Sequence, residues 1–160
     1  MKQKRTVIIL EGVDKTGKTT LAEKLLKAKT GTILIKQNRK DLKKIKDAFM
    51  NMAILLRDLP GDAPIILDRF YPSQMVYSIL RDEESMTDVF YHVLENDLVN
   101  HPTLKFEIIY CTADDDTIKR RFKEDNEEYV KEDQIKLLKF RYEHFIKRTK
   151  LKVTTYNTSW

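Results

Sequence analysis

Gly12-Val13-Asp14-Lys15-Thr16-Gly17-Lys18-Thr19 fits the pattern G-x-x-x-x-G-K-[ST], and its surroundings fit as well. Directly before it, Thr6-Val7-Ile8-Ile9-Leu10 is a continuous apolar, β-branched run that reads as a buried strand. Directly after it, Leu21, Leu25 and Leu26 recur at helical spacing between Glu23, Lys24 and Lys27. Strand, glycine loop and helix therefore follow in the order that a phosphate-binding loop requires. Gly12 and Gly17 permit backbone conformations and close approaches that a Cβ would block. The amides around Val13, Asp14, Lys15, Thr16 and Thr20 can then point at phosphate oxygens, with a helix N-terminus behind them. Lys18 is expected to reach the terminal phosphates, and the Thr19 hydroxyl to hold Mg²⁺.

The 160 residues match one ordinary domain, and 41% hydrophobic content supplies a core. A net charge of +5, from 30 Lys and Arg against 25 Asp and Glu, suits a protein that handles phosphorylated small molecules. It also suits nucleic-acid binding, so charge alone does not choose between them. The single cysteine, Cys111, sits in an apolar run and reads as a buried thiol; it excludes an internal disulfide and fits a cytoplasmic location. No stretch approaches the roughly 18 apolar residues of a membrane span. The basic start, Met1-Lys2-Gln3-Lys4-Arg5, leads into a strand and does not read as a signal peptide.

Beyond the loop, Thr32-Ile33-Leu34-Ile35 reads as a second strand, and residues 41–59 as a helix ended by Pro60-Gly61-Asp62. Pro64-Ile65-Ile66-Leu67-Asp68 is a third strand, fully apolar until its final acid. Helices are expected over 72–81, with Pro72 in the first turn, and over 86–100, ended by His101-Pro102. His101 reads as a helix-end cap or a surface residue. Phe106 to Cys111 is a fourth strand, and Asp114-Asp115-Asp116 opens a helix whose positive end the acids complement. Residues 130–148 form a last helix, with Ile135, Leu138, Tyr142, Phe145 and Ile146 inward, and Val153 to Tyr156 a fifth strand. Alternating strands and helices give an α/β domain spanning 1–160, with a five-stranded parallel sheet flanked by helices. Ligands in such sheets bind at the C-terminal strand ends, which brings the glycine loop and Asp68-Arg69 to one rim. There Asp68 can hold Mg²⁺, and Arg69 can bridge phosphates during transfer.

The loop Glu11-Gly12-Val13-Asp14-Lys15-Thr16-Gly17-Lys18-Thr19-Thr20, together with Asp68-Arg69-Phe70-Tyr71-Pro72-Ser73-Gln74-Met75-Val76-Tyr77, resembles the thymidylate kinases and the related deoxynucleoside kinases. The resemblance covers most of the chain and implies a P-loop NTPase fold with a small lid at about 120–130. It implies that Lys18 and Thr19 are the phosphate lysine and Mg²⁺ ligand. Asp14 would contact the acceptor sugar 3′-hydroxyl, and Lys15 would stand where one class has a catalytic Arg in the loop. It implies that Asp68 and Arg69 are the Mg²⁺/acceptor acid and the phosphate-bridging arginine, with Ser73 and Tyr77 on the substrate side. Arg120, Arg121 and Lys123 fall where a mobile lid carries its basic residues, although the same run also reads as a solvated face. Phe49 is placed to stack on the acceptor base, or to sit in the core. The resemblance implies ATP and Mg²⁺, a small-molecule nucleotide acceptor and a homodimer, with no membrane partner.

Two departures shape the expected activity. Deoxynucleoside kinases need a base for the 5′-hydroxyl proton, a Glu at the end of strand two. Here that end reads Ile35-Lys36-Gln37-Asn38-Arg39, with no acid. A monophosphate acceptor is already ionised, and Lys36 or Arg39 would meet its charge. After strand five the sequence reads Asn157-Thr158-Ser159-Trp160, where the family has a loop over the donor adenine, so donor preference stays open. The expected activity is transfer of the ATP γ-phosphate to a deoxynucleoside monophosphate, dTMP or a related pyrimidine nucleotide. The alternatives are a deoxynucleoside kinase, a kinase acting on a nucleic-acid 5′ end or modified base, and an ATP-binding regulatory module.

Overall fold

The apolar run before the glycine loop is strand β1 (Arg5–Glu11), the middle strand of the sheet. In the computed structural model, residues 2–37, 45–81, 86–126 and 131–159 are described. β2 (Ile33–Lys36), β3 (Ile65–Asp68), β4 (Leu104–Thr112) and β5 (Lys152–Asn157) complete a sheet ordered β2-β3-β1-β4-β5. Each pairing is parallel, with Val7 opposite Ile65 on one side and Phe106 on the other. Parallel neighbours need crossovers, and the helices supply them: α1 (Lys18–Ala28), α2 (Ile45–Asp58), α3 (Tyr71–Arg81), α4 (Asp88–Val99), α5 (Asp115–Glu124) and α6 (Glu132–Arg148).

Side chains alternate across the sheet, so each face has its own core. Val7, Ile9, Ile65, Leu67, Phe106 and Ile108 point to one face, under Phe49 and Leu56 of α2, Leu94 of α4 and Phe145 of α6. Leu10, Ile66 and Cys111 point to the other, under Leu21 and Ala22 of α1. The fully apolar runs of β1 and β3 are thus what burial on two faces demands. Cys111 is buried as expected, and burial pushes its thiol up to about 11.

The two helix-end expectations come out differently. Asp114 caps α5, its Oδ1 accepting from the Thr117 amide at 2.7 Å. His101 does not cap α4, whose C-cap is Asn100; its ring accepts from the amides of Thr103 and Leu104 at 3.3 and 3.1 Å and closes the turn that follows, on the rim opposite the glycine loop. Among the described residues, no helix is long and apolar enough to cross a membrane.

Candidate active site

β1 delivers Glu11 and the glycine loop to the C-terminal rim. Gly12 has φ +144, and a Cβ there would lie 2.2 Å from the Cys111 carbonyl oxygen, so β4 leaves room for glycine alone. Gly17, at φ +86, precedes the first residue of α1. The loop is strapped from both ends. Thr16 Oγ1 donates to the Val13 carbonyl at 2.6 Å, and Thr158 Oγ1, just past β5, donates to the Thr16 carbonyl at 2.8 Å. Lys18 is folded under the loop, its ammonium donating to the carbonyls of Gly12 and Val13 at 3.0 and 2.8 Å. Burial, and then the charge of Arg69, lower its pKa to about 8. An ammonium held so near neutrality gains from any anion placed before it.

Beside the loop lies a cleft of about 580 Å³, lined by Lys15, Lys18, Thr19, Thr20, Asp68, Arg69 and Arg121 among others. Asp68 ends β3, and Arg69 follows in the left-handed region at φ +70, its amide bonded to the Leu10 carbonyl at 3.0 Å. That conformation is costly for a side-chain-bearing residue and persists where neighbours enforce it. Here they do. Nη1 donates to Ser73 Oγ at 2.9 Å and to the Tyr142 hydroxyl at 3.1 Å, while Nη2 donates to Asp14 at 2.6 Å. The guanidinium also packs over the Tyr77 ring, 5.1 Å from its centroid. Burial works against the charge, yet Tyr142, Tyr77, Glu11 and Asp14 together hold its pKa above the usual arginine value.

Beneath Arg69 sits Glu11, 1% exposed. Oε1 accepts from the amides of Phe70 and Ser73 at 2.8 and 3.3 Å. Oε2 accepts from Ser73 Oγ at 2.6 Å and the Tyr142 hydroxyl at 2.9 Å. Both hydroxyls that receive Arg69 Nη1 therefore hand their protons to one buried carboxylate. Burial raises the Glu11 pKa, while Arg69, Ser73, Phe70 and Tyr142 oppose the rise.

The Thr19 hydroxyl and the Asp68 carboxylate line the same cleft. Two hard oxygen donors and no soft ones suit Mg²⁺, which takes few protein ligands and completes its shell with phosphates and water. Among the described residues there is no cluster of three acidic, His or Cys side chains fit for a metal.

No family model matches the sequence, and no curated protein matches it. Solved structures do. The YorR protein of Bacillus subtilis in complex with phosphorylated GDP is 25% identical, covering 95% of this chain and 85% of that one at a TM-score of 0.78. Thymidylate kinase from Candida albicans is 16% identical over 98% of this chain and 86% of its own, at 0.65. Deoxyadenosine kinase from M. mycoides, with products dCMP and dCDP bound, is 20% identical over 94% and 89%, at 0.57. This chain has the fold of the P-loop nucleotide kinases.

On that fold the expected site residues divide. Lys18, Thr19, Asp68 and Arg69 meet at one cleft, with Asp14 on its edge and Ser73 and Tyr77 behind Arg69. Lys15 lines the cleft, but its ammonium is turned to Asp125 at 2.6 Å and lies over the Phe122 ring. Arg121 also lines the cleft, but as a brace: it donates to the Lys15 carbonyl at 2.9 Å and to Thr158 Oγ1 and O at 2.9 and 2.6 Å. Arg120 departs from the expectation. It is on the exposed side of α5, 3.6 Å from Glu124, because one residue along a helix turns the side chain by about 100°. Residues 120–124 accordingly close α5 as helix and form no loop, and 127–130 of the expected lid lie outside the described residues. Lys36 is exposed at the end of β2, and Arg39 lies outside the described residues. Phe49 corrects the stacking expectation: at 0% exposure, edge-on to Phe70 at 5.2 Å, its ring has no face open to a base.

Three residues that complete the site were given no role there by the sequence. Glu11 carries the same mark as Asp68, an acid closing a buried apolar strand, and that mark applies to both. Tyr142 read as one more inward position of α6. Thr158 has no local signature at all.

Proposed function

We propose that this protein transfers the γ-phosphoryl group of ATP to a deoxynucleoside monophosphate, dTMP or a related pyrimidine nucleotide. The observation that carries the reading is the convergence of Lys18 and Arg69, which follow two neighbouring strands, on a cleft that also holds Thr19 and Asp68. Phosphoryl transfer asks a protein for positioning and for positive charge more than for covalent chemistry. The loop amides and Lys18 hold the donor phosphates. Arg69, fixed through Ser73, Tyr142 and Asp14, faces the migrating group and the acceptor phosphate. Asp14 keeps a carboxylate at the edge for the sugar hydroxyl, and Lys15 leaves Asp125 for the phosphates when they arrive. Thr19 and Asp68 would hold Mg²⁺, which when bound supplies charge neutralisation at the phosphate oxygens.

A monophosphate is favoured over a nucleoside because the end of β2 presents Lys36 and no carboxylate. A nucleoside hydroxyl needs a base to take its proton; an ionised phosphate does not. The bound ligands of the similar structures, dCMP with dCDP and a phosphorylated GDP, widen the panel that has to be tested beyond pyrimidines.

The test is ADP release from ATP and Mg²⁺ with each deoxynucleoside monophosphate, each nucleoside and a 5′-hydroxyl oligonucleotide. Turnover with one or two pyrimidine monophosphates is the expected result. Turnover with nucleosides or the oligonucleotide alone would replace the acceptor assignment, and ATP binding without turnover would replace the enzyme assignment.

A further inference from the structure

We propose that a single-stranded nucleic acid binds by its phosphate backbone in the cationic recess on the rim opposite the glycine loop, held by Lys2, Lys4 and Lys29. This site is separate from the phosphate cleft and stands whether or not the protein is a kinase.

The recess has a volume of about 600 Å³ and opens where β1, β3 and β4 begin. Arg5 and Leu104 are neighbours there across the sheet. From Arg5 to Glu11, β1 runs six residue steps, so about 20 Å separates the recess from the phosphate cleft. The two differ in charge. The cleft carries four cations and four acids. The recess carries five cations, Lys2, Lys4, Arg5, Lys29 and Arg57, and one acid, Asp62. Asp58 pairs with Arg57 at 3.0 Å. Five cations less Asp58 and Asp62 leave three, more than half of the protein's net +5. The C-termini of α1, α2 and α4 bring about half a negative charge each, and with the two acids they still fall short of the cations. Lys2, Lys4 and Lys29 are exposed and make no ion pair among the described residues.

The lining selects the ligand. Among the described residues no aromatic ring lines the recess, so bases have nothing to stack on and binding is indifferent to sequence. None of the exposed large apolar side chains lines it either, so it lacks the anchor a membrane surface asks for. Lysine heads on long stems around a mouth suit phosphates spaced along a flexible strand; one small anion asks for a converging amide cradle, like that of the glycine loop. A duplex, stiff over about 50 nm, does not bend into the recess. His101 lies beside this field: burial, then the charges of Lys4 and Arg57, hold its pKa below the usual histidine value. Phosphates set against those two cations raise it.

The probe is a short, labelled DNA strand of mixed sequence, titrated by fluorescence anisotropy with no ATP present. The parent is compared with Lys2→Gln/Lys4→Gln/Lys29→Gln, first checked for an unchanged melting transition. Three phosphate contacts predict a slope of about −2 for log affinity against log salt, or binding about 15- to 20-fold weaker at 200 mM than at 50 mM. The triple variant is expected to bind on the order of tenfold more weakly at low salt, to lose most of the slope and to keep the parent's ATP affinity. Arg69→Ala is expected to bind the strand as the parent does. The His101 imidazole pKa, followed by NMR, is expected to rise when the strand is added to the parent. Equal binding by parent and triple variant would overturn the proposal, as would loss of binding in Arg69→Ala alone or an unmoved His101 in the bound parent. Tighter binding of tripolyphosphate or of phosphatidylserine vesicles than of the strand, lost in the triple variant, would give the recess to a small polyphosphate or a membrane and overturn it as well.

Discussion

Arg69 is held by groups that are themselves held, and this makes Glu11 a positioning residue. Its Oε2 takes the protons of Ser73 and Tyr142, which leaves both hydroxyl oxygens to receive Arg69 Nη1. In Glu11→Gln the amide nitrogen competes to donate to the same hydroxyls, and the charge beneath the guanidinium is gone. Removing one member of a buried, hydrogen-bonded charge pair leaves Arg69 less compensated, so the melting temperature is expected to fall. Turnover is expected to fall about 10- to 100-fold, the value of one charge-assisted hydrogen bond. Steady-state kinetics at a temperature where the variant is folded check it; an unchanged turnover number there would reduce Glu11 to a structural role. Lys18 yields a different test. With its pKa at about 8 in the free protein, most of these side chains are neutral at pH 8.5. Phosphates facing the amine raise that pKa, so binding of ATP as its Mg²⁺ complex, whose phosphates are ionised at both pH values, takes up a proton at pH 8.5 and almost none at pH 6.5. The calorimetric enthalpy should then depend on buffer ionisation heat at the higher pH only, and equal dependence at both would exclude Lys18 as its source. Replacing either cation, by Lys18→Ala or Arg69→Ala, is expected to abolish transfer in a protein that still melts cooperatively.

At the scale of the elements, strands were legible because burial on two faces leaves continuous apolar runs, as in Ile65-Ile66-Leu67. Helix faces were less so. The pair Arg120-Arg121 reads as one basic patch, yet α5 sends Arg121 to the loop and Arg120 to solvent. Spacing gives a helix its stripe and does not say which neighbour each side of the stripe will meet. Phe49 fails for a related reason, since an aromatic on an apolar stripe looks the same whether a base or a second aromatic covers it. Here Phe70 and Tyr71 cover it, both edge-on. Phe49→Ala is therefore expected to cost about 3–5 kcal/mol of stability, as a cavity in a close-packed core does. Acceptor KM, measured at a temperature where the variant is folded, should stay within about twofold of the parent. A large rise in acceptor KM alone, with stability kept, would return Phe49 to the substrate site.

The whole molecule adds what no local pattern contains. A parallel sheet brings every strand's C-terminal end to one rim, so residues far apart in sequence share the site. Strand alternation with helices was readable; the order β2-β3-β1-β4-β5 was not, because an apolar run announces a strand and is silent about its neighbour. The Glu11–Tyr142 bond, 131 residues apart in sequence, exists only through that order. The same closure ties α5 to the glycine loop through Arg121, which donates to the Lys15 carbonyl and to Thr158 Oγ1. Whatever steadies the loop should steady the end of α5. With ATP and Mg²⁺ at about 100 times the dissociation constant, global stability rises by about 2.7 kcal/mol, which slows exchange everywhere that opens by global unfolding. Beyond that uniform gain, amides of residues 13–20 and 121–126 should gain extra protection, and those of the opposite rim at 103–105 should not. Arg121→Ala breaks the tie without touching Lys18 or Arg69. In that variant the gain at 13–20 should persist while the gain at 121–126 disappears, read by hydrogen exchange with and without nucleotide. Parallel loss at both segments would mean that Arg121 acts on nucleotide binding itself, and undiminished protection at both would mean that α5 is coupled to the loop by another route.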